Sequence, residues 1–355
     1  MAAPRIVVLA GGVGGAKFTR GLRRHARTAW PDGAGGSEAS ITVVANTGDD
    51  LWLAGLRITP DLDSLLYALA GVNDTHRGWG RSDESERVSG ELAAYGVGWP
   101  WFTLGDLDLG THIARTALLK QGLPLSAVVE RLSARWPLGV RLVPATDDEV
   151  ETHVLVQEDG LPRDLHFEEW WVRTRAKVPA EAFVQVGVET ATPAPPVAPA
   201  LAEADLVLLA PSNPVVSIGT ILGIPGMREA LLATPAPIVG VSPIIGGAAV
   251  RGMADACLRA IGVETSAAAV GRHYGPRSHG GLLDGWLVDT SDEGAVDALE
   301  SAGVPTRAVP LWMHDDEAAA VIAGEAIALA GRLRIVALGA PDAQGAPLPS
   351  CNQPD

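Results

Sequence analysis

The chain has 355 residues, 47% of them hydrophobic, and a formal net charge of −15. That length buries a sizeable core in one large or two modest domains. The charge argues against a general binder of nucleic acid or anionic membrane, although backbone amides can still build a local phosphate site. Cys257 and Cys351 have no metal or redox spacing and fit a reducing cytoplasm. No apolar run reaches the roughly 18–20 residues that span a bilayer.

Ile6 to Ala10 reads as a buried strand. It lacks the basic leader of a signal peptide and runs straight into Lys17, Arg20, Arg23 and Arg24. Gly11, Gly12, Gly14 and Gly15 follow it, then an amphipathic run with Phe18 and Leu22 on one face. Strand, glycine turn and helix together aim free N–H groups at an anion, and glycine removes the Cβ that would block its approach. The spacing G-G-x-G-G-x-K is not a P-loop, because no Gly-Lys-Ser/Thr ends it. Nor is it the dinucleotide fingerprint, because Lys17 stands where the third glycine would be. We read it as the phosphate end of an α/β sheet, with a ligand-free tight turn as the alternative.

Residues 31–40 read as a surface loop and Ile41 to Ala45 as a second buried strand, joined to the first by a right-handed parallel crossover. This strand ends in Asn46-Thr47-Gly48-Asp49-Asp50, beside the glycine turn. Pro60 opens a helix with Leu65, Leu66 and Leu69 as its stripe. Asp61 suits its N-cap, and capping with the helix dipole accounts for one of Asp61 and Asp63. With Asp49 and Asp50 they form an oxygen-rich cluster suited to Mg²⁺. Residues 74–98 read as a polar loop, with Trp79, Arg81 and Arg87, followed by a helix over Val88 to Tyr95. Trp79 is placed either at a loop edge or stacked on an aromatic ligand. Helices are expected from Thr111 to Lys120 and from Leu125 to Trp136. His112 near the first helix's start is read as a capped, partly buried residue or as a catalytic one.

Strands are expected at Val140 to Val143, Thr152 to Gln157 and Trp170 to Arg173. The acids Asp147, Asp148, Glu149 and Glu151 read as a solvated face. Pro193 to Pro199 reads as a stiff connection leading back from an insert, at about 60–200, to the parallel sheet. Asp205 to Ala210 is a further strand, ending in Pro211-Ser212-Asn213-Pro214. Pro237 to Val241 is another, ending in Ser242-Pro243-Ile244-Ile245-Gly246-Gly247. Helices at 253–261, 265–274, 292–302 and 315–330 and strands at 283–288 and 306–311 complete one domain over 1–338. Residues 339–355 read as a disordered tail. The sum is an α/β, Rossmann-like, mostly parallel sheet with helices on both faces and an inserted, largely helical region. Loops at the carboxyl ends of four strands converge on one crevice with glycine amides, carboxylates and Ser/Asn groups, apt for a nucleotide diphosphate and a divalent ion.

The stretches GGVGGAKF, NTGDDLWLAGLRITPDLDSLLYALAG, GWG, LGDLDLGTHIARTALL, ETHV, APSNPVVSIGTIL and SPIIGGAAVRGMAD, in this order over Arg5 to Leu329, together resemble the CofD/FbiA family. LHFEEWWVRTRAKVP (Leu165 to Pro179) resembles its actinobacterial branch. These are the 2-phospho-L-lactate and phosphoenolpyruvate transferases of coenzyme F-420 biosynthesis. The resemblance implies transfer of a phosphoenolpyruvyl or phospholactyl group from a guanosine-diphosphate conjugate to the ribityl hydroxyl of the deazaflavin precursor Fo. GMP leaves, and dehydro-F-420-0 or F-420-0 forms.

The resemblance further implies Mg²⁺ as cofactor, with Asp49, Asp61 and Asp63 as metal candidates. Asp49 and Asp50 would be catalytic. Asp50 would meet Fo with an arginine, Arg87 or its rival Arg81. Gly11, Gly12 and Gly14 would cradle phosphate, and Ser212, Asn213, Pro214, Gly246 and Gly247 would line the guanosine diphosphate. Nothing in the residues chooses among enolpyruvate, lactate and phosphoglycerate donors; the actinobacterial likeness favours enolpyruvate. A cytoplasmic enzyme, possibly a homodimer, is expected. The alternatives are a nucleotide-binding regulatory protein of the same fold and a nicotinamide-dependent oxidoreductase with Asp49 on a ribose.

Overall fold

Five consecutive buried side chains make β1 (Arg5–Ala10) a central strand. Its alternate residues serve two cores. Ile6, Val8 and Ala10 pack with Phe18 and Leu22, whereas Val7 and Leu9 pack toward Val207, Ile218 and Met227. A strand buried on both faces belongs to a doubly covered parallel sheet. The computed structural model describes residues 3–337, and the expected tail at 339–355 lies outside them.

In chain order β1 leads into α1 (Gly12–Ala29), β2 (Ser40–Ala45), β3 (Leu51–Leu53), β4 (Leu56–Ile58), α2 (Pro60–Ala70), α3 (Arg87–Ala94), α4 (Asp106–Lys120) and α5 (Leu125–Ser133). Then come β5 (Arg141–Pro144), β6 (Glu151–Glu158), β7 (Leu161–His166), β8 (Ala180–Val186), α6 (Val197–Ala202), β9 (Leu206–Leu209), α7 (Ile218–Gly223), α8 (Met227–Ala233) and β10 (Ile238–Val241). The chain continues through β11 (Ile244–Ile245), β12 (Ala248–Ala249), α9 (Ala254–Ala260), α10 (Ala267–Tyr274), β13 (Gly285–Val288), α11 (Val296–Ser301), β14 (Thr306–Ala308) and α12 (Asp316–Ala337).

Seven strands form one parallel sheet in the order β14-β13-β10-β9-β1-β2-β5. The strand order turns back between β1 and β9. In an open α/β sheet the crevice beyond the carboxyl ends at such a point is where ligands bind. Within the span 60–200, β5 is a strand of this main sheet, and β6–β8 make a separate antiparallel sheet of their own. Helix α1 packs on α12, tied by Arg20 to Asp316 at 2.7 Å.

Four local expectations are corrected. Trp170 to Arg173 is not a strand but lies in a π-helical turn, Glu169–Arg173. Trp170 is buried and donates Nε1–H to the Val178 carbonyl at 2.7 Å, which holds the chain in a bend. Helix α4 starts five residues earlier than expected, because Asp106 and Asp108 in its first turn complement the helix dipole. The proline connection is partly helical: Pro196 precedes α6 and Pro199 falls in its first turn, where a missing N–H costs nothing. The acidic run is not simply solvated. Asp147 accepts from the Ser126 amide at the start of α5, and Glu149 accepts from Trp52 Nε1 at 3.0 Å.

A short hairpin also escaped sequence reading. β3 and β4 pair antiparallel around Ala54 and Gly55, both at positive φ, directly after Asp50. Two such residues give the primed turn that matches strand twist.

Candidate active site

The turn after β2 is built by its own polar groups. Asn46 Oδ1 accepts from the Gly48 amide at 3.0 Å, and its Nδ2 donates to Asp61 Oδ2 at 2.9 Å and to the Val216 carbonyl at 3.2 Å. This places Asp49 and Asp50 at the carboxyl edge of the sheet, both buried. Asp49 Oδ1 and both carboxylate oxygens of Asp50 have no hydrogen-bond partner among the described residues. Burial pushes the Asp49 carboxyl well above the usual range, and the charges of Asp61, Glu168 and Asp50 push it the same way. Burial also raises Asp50, opposed by Arg57 and Arg115. Arg57 Nη2 lies 3.5 Å from Asp50 Oδ2.

Asp61 stands at the start of α2, and its carboxylate fills the glycine turn. A Cβ on Gly11 would meet Asp61 Oδ2 at 2.5 Å and Ser217 Oγ at 2.6 Å. Gly12 sits at φ +58°, a left-handed conformation in which glycine carries no Cβ penalty. Burial raises Asp61 to about 6, while hydrogen bonds from Asn46, the Gly12 amide and Ser217 pull it down. The anion that meets the first turn of α1 is therefore a carboxylate of the chain itself. Lys17 points elsewhere, with Nζ 3.4 Å from the Met313 carbonyl.

Asp63 faces a different set of partners. It pairs with Arg115, and Thr59 Oγ1 donates to its Oδ2 at 3.2 Å. His112 lies 3.6 Å from Asp63 Oδ2 through Nδ1 and 3.2 Å from Asp108 Oδ1 through Nε2. Tyr67 donates to Asp108 Oδ1 at 2.6 Å. The ligand atoms of Asp63, Asp108 and His112 lie within 4.8 Å of one another, so this buried group could hold a metal ion. Arg115 and Tyr67 already satisfy much of it. His112 is thus fully buried in α4, inside a polar network.

Glu168 enters from the antiparallel sheet. It is buried, and burial together with the Asp61 charge raises its carboxyl to about 8. Its amide donates to His166 Nδ1 at 3.1 Å, which leaves the proton on Nε2, facing the Asp50 carbonyl at 3.3 Å. Burial lowers His166 to about 4, so the ring is neutral. Trp99 lies 6.2 Å from His166, centroid to centroid, and lines an apolar cavity of about 240 Å³ with Leu53, Leu56, Ala93, Phe102 and Leu104.

The remaining expected residues divide. Ser212 bridges the sheet's turning point: Gly11 N–H donates to its Oγ at 3.0 Å, and the hydroxyl donates back to the Gly11 carbonyl at 2.8 Å. Asn213 Oδ1 accepts from Val215 and Val216 amides and so shapes its own loop; Pro214 lies between them. Gly246 and Gly247, both at positive φ, make the turn of the β11–β12 hairpin, and the Gly246 amide donates to Asp292 Oδ2 at 2.9 Å. Gly14 lies against the Pro211 carbonyl. Arg81 is buried with its guanidinium over Trp136 and Tyr67. Arg87 opens α3, exposed, next to Glu86 and Ser89 at the rim of the apolar cavity. Trp79 is stacked by Arg77 at 4.7 Å. Four residues went unassigned in the sequence: Arg57, Arg115, His166 and Glu168. Arg115 had a signal: three residues after His112 and seven after Asp108, it shares one helix face with both.

Acids beyond β2, a polar bridge beyond β9 and a glycine turn beyond β1 meet in one candidate site. Comparison with known proteins gives it a lineage. The model for 2-phospho-L-lactate transferase CofD matches residues 6–322. The chain belongs to the CofD family. The chain is 57% identical over 330 residues to the phosphoenolpyruvate transferase of Streptomyces griseus, covering 93% of this chain and 99% of that one. It is 58% identical over 330 residues to the protein of that name from Streptomyces coelicolor, with the same coverage. The Thermobifida fusca phosphoenolpyruvate transferase is also 58% identical, over 332 residues, covering 93% of this chain and 99% of that one. A crystal structure of a Bacillus halodurans protein superposes with a TM-score of 0.58 at 18% identity, over 92% of this chain and 99% of that one, and shares the fold. Family membership together with 57–58% identity to proteins named phosphoenolpyruvate transferase sets aside the nicotinamide-dependent and regulatory alternatives. Among the described residues no helix is long and apolar enough to cross a membrane.

Proposed function

We propose that this chain is a phosphoenolpyruvate transferase of coenzyme F-420 biosynthesis. It takes the phosphoenolpyruvyl group from enolpyruvyl-diphospho-guanosine to the ribityl hydroxyl of Fo, giving dehydro-F-420-0 and GMP. Identity of 57–58% to relatives named for phosphoenolpyruvate supports enolpyruvate over lactate as the three-carbon group. The observation that carries the mechanism is Asp50, fully buried yet with both carboxylate oxygens free of hydrogen bonds.

Such a transfer needs in-line placement and charge neutralisation rather than a covalent enzyme intermediate. The new bond joins the ribityl oxygen to the phosphorus that carries enolpyruvate. The bond from that phosphorus to the bridging oxygen breaks, and GMP leaves with the electron pair. Asp50 orients the hydroxyl and accepts its proton, and Arg57 and Arg115 keep its anion accessible. The ring system of Fo lies in the apolar cavity beside Trp99, with Arg87 at its rim. Ser212, Asn213 and Pro214, with Gly11, Gly12, Gly14 and the Gly246–Gly247 turn, form the guanosine diphosphate side.

The donor set fits Mg²⁺. Asp49 and Asp61 offer hard oxygens, one of them without a partner, whereas Asp63 is engaged by Arg115. Because Asp61 fills the glycine turn, a donor phosphate there faces a carboxylate and needs a cation between. When bound, Mg²⁺ supplies that neutralisation on the diphosphate.

The test is GMP release from guanylylated phosphoenolpyruvate and guanylylated 2-phospholactate, with and without Fo, in Mg²⁺ and in EDTA. GMP that requires both Fo and Mg²⁺, fastest from the enolpyruvyl donor, is the expected result. No GMP from either donor would overturn the assignment.

A further inference from the structure

Arg57 lies between two acids and meets them differently. Its side chain is buried. Nη1 donates to Glu151 Oε1 at 3.3 Å, whereas Nη2 stands 3.5 Å from Asp50 Oδ2 without a hydrogen bond. The guanidinium thus lends Asp50 its charge but gives its hydrogen bond to Glu151. A guanidinium released from Glu151 has a second carboxylate at hand, and charge-assisted pairs of this kind close to about 2.7–2.9 Å.

Both sides of this arrangement are held by other elements. The Arg57 N–H donates to Thr116 Oγ1 at 2.9 Å, and its carbonyl accepts from Arg115 Nη1 at 3.2 Å. Helix α4 therefore grips the Arg57 backbone, and the choice between the two acids is left to the side chain. Glu151 opens β6. Its other oxygen lies 3.7 Å from Nε2 of His153, two residues on along the same face of the strand. His153 Nδ1 lies 2.7 Å from Asp164 Oδ1 on β7. The antiparallel sheet thus backs Glu151 where it meets Arg57.

We propose that Glu151 is a positioning residue for the transfer: it holds the Arg57 guanidinium off a closed ion pair with Asp50 and so leaves the Asp50 oxygens open to the substrate hydroxyl. The inference rests on the transferase reading for the identity of that hydroxyl. In this role Glu151 acts through Arg57 and not on the substrate. Without its carboxylate, Arg57 closes onto Asp50 and occupies the lone pair that takes the hydroxyl's hydrogen bond.

Two readouts test this, one of them free of activity. In a crystal structure of Glu151→Ala, Arg57 Nη2 should come within about 3.0 Å of Asp50 Oδ2. In steady-state kinetics of Fo-dependent GMP release, the same variant should lose about tenfold or more in kcat, with KM for the guanylylated donor within about twofold of wild type. Glu151→Gln, which keeps an acceptor for Arg57 but not the charge, should fall between. On an Arg57→Met background, Glu151→Ala should change kcat by less than about twofold, because the side chain through which it acts is gone. A loss of packing alone would lower kcat on both backgrounds. Glu158→Gln, which breaks the exposed pair with Arg163 at the far end of β6, should match the wild type. Arg57 still 3.5 Å from Asp50 in the variant structure, or a kcat loss that persists on Arg57→Met, would overturn the proposal. Closure of Arg57 onto Asp50 in a protein whose wild type releases no GMP would support the role of Glu151 and fault the transferase reading alone.

Discussion

Asp50 and Asp63 are both buried acids, but their surroundings assign them different work. Asp50 has a guanidinium at 3.5 Å and oxygens free of hydrogen bonds, which fits the proton acceptor that the proposed transfer requires. Asp63 is saturated by Arg115 and Thr59. Replacing Asp50 by Asn should therefore cut Fo-dependent GMP release by about 10²–10⁴-fold, the usual worth of a positioned base, with donor KM little changed. A loss below tenfold in steady-state kinetics would remove Asp50 from the chemistry. Arg115→Met should act on folding instead. It leaves Asp63 buried without its cation, a loss of about 3–5 kcal/mol. Urea unfolding checks this, and Asp63→Asn on the same background should restore most of the loss.

The β3–β4 hairpin, the Trp99 loop and β7 lie beside the acidic turn, and in the proposed reaction they are the elements that meet the ring of Fo. Trp99 stacks on Trp101 at 4.7 Å and lies edge-on to Phe102, an aromatic corner of the cavity next to His166. Trp99→Ala should raise the KM for Fo by about tenfold, or 1.4 kcal/mol, while kcat stays within about threefold. An unchanged KM would move the ring out of this cavity. The parallel strands were legible because each is an unbroken apolar run ending in glycine, Asp, Ser or Asn. The acids Asp49, Asp50, Asp61 and Asp63 were legible for the same reason, since strand ends and helix starts are marked by local chemistry. Leu51 to Ile58 carried an alternating pattern around Ala54-Gly55 and was readable as a hairpin, but the family-like stretch around it was read for its acids alone. Glu168 and Arg57 left no local trace. Their meaning lies in contacts more than 90 residues away, Glu168 with Asp61 and Arg57 with Glu151, which periodicity cannot report.

Seen across the whole molecule, the parallel sheet gathers at one edge a set of acids that it does not neutralise. That has a consequence for stability without substrate or metal. Burial and neighbouring charge raise Asp61 to about 6 and Glu168 to about 8, and raise Asp49 and Asp50 as well. An unfolded chain releases these protons near pH 4. Between the two limits the native state binds more protons than the unfolded one, so stability present at the acid end is lost as pH rises. Histidines oppose this lower down. Burial lowers His166 to about 4 and also lowers His25 and His273, so their contribution grows with pH and levels off above about 6.5, as the unfolded imidazoles lose their protons. The acids therefore dominate the window from about 6.5 to about 8. In EDTA the unfolding free energy should fall across it by at least about 1 kcal/mol, since each proton contributes up to about 1.4 kcal/mol per pH unit. Saturating Mg²⁺ should flatten the slope, because a bound cation takes the place of the protons. Urea unfolding at the two ends of the window, with and without the ion, reads both effects. A flat profile in EDTA would mean that the acids are already ionised and compensated in the free protein, and the case for a cation at their centre would go with it.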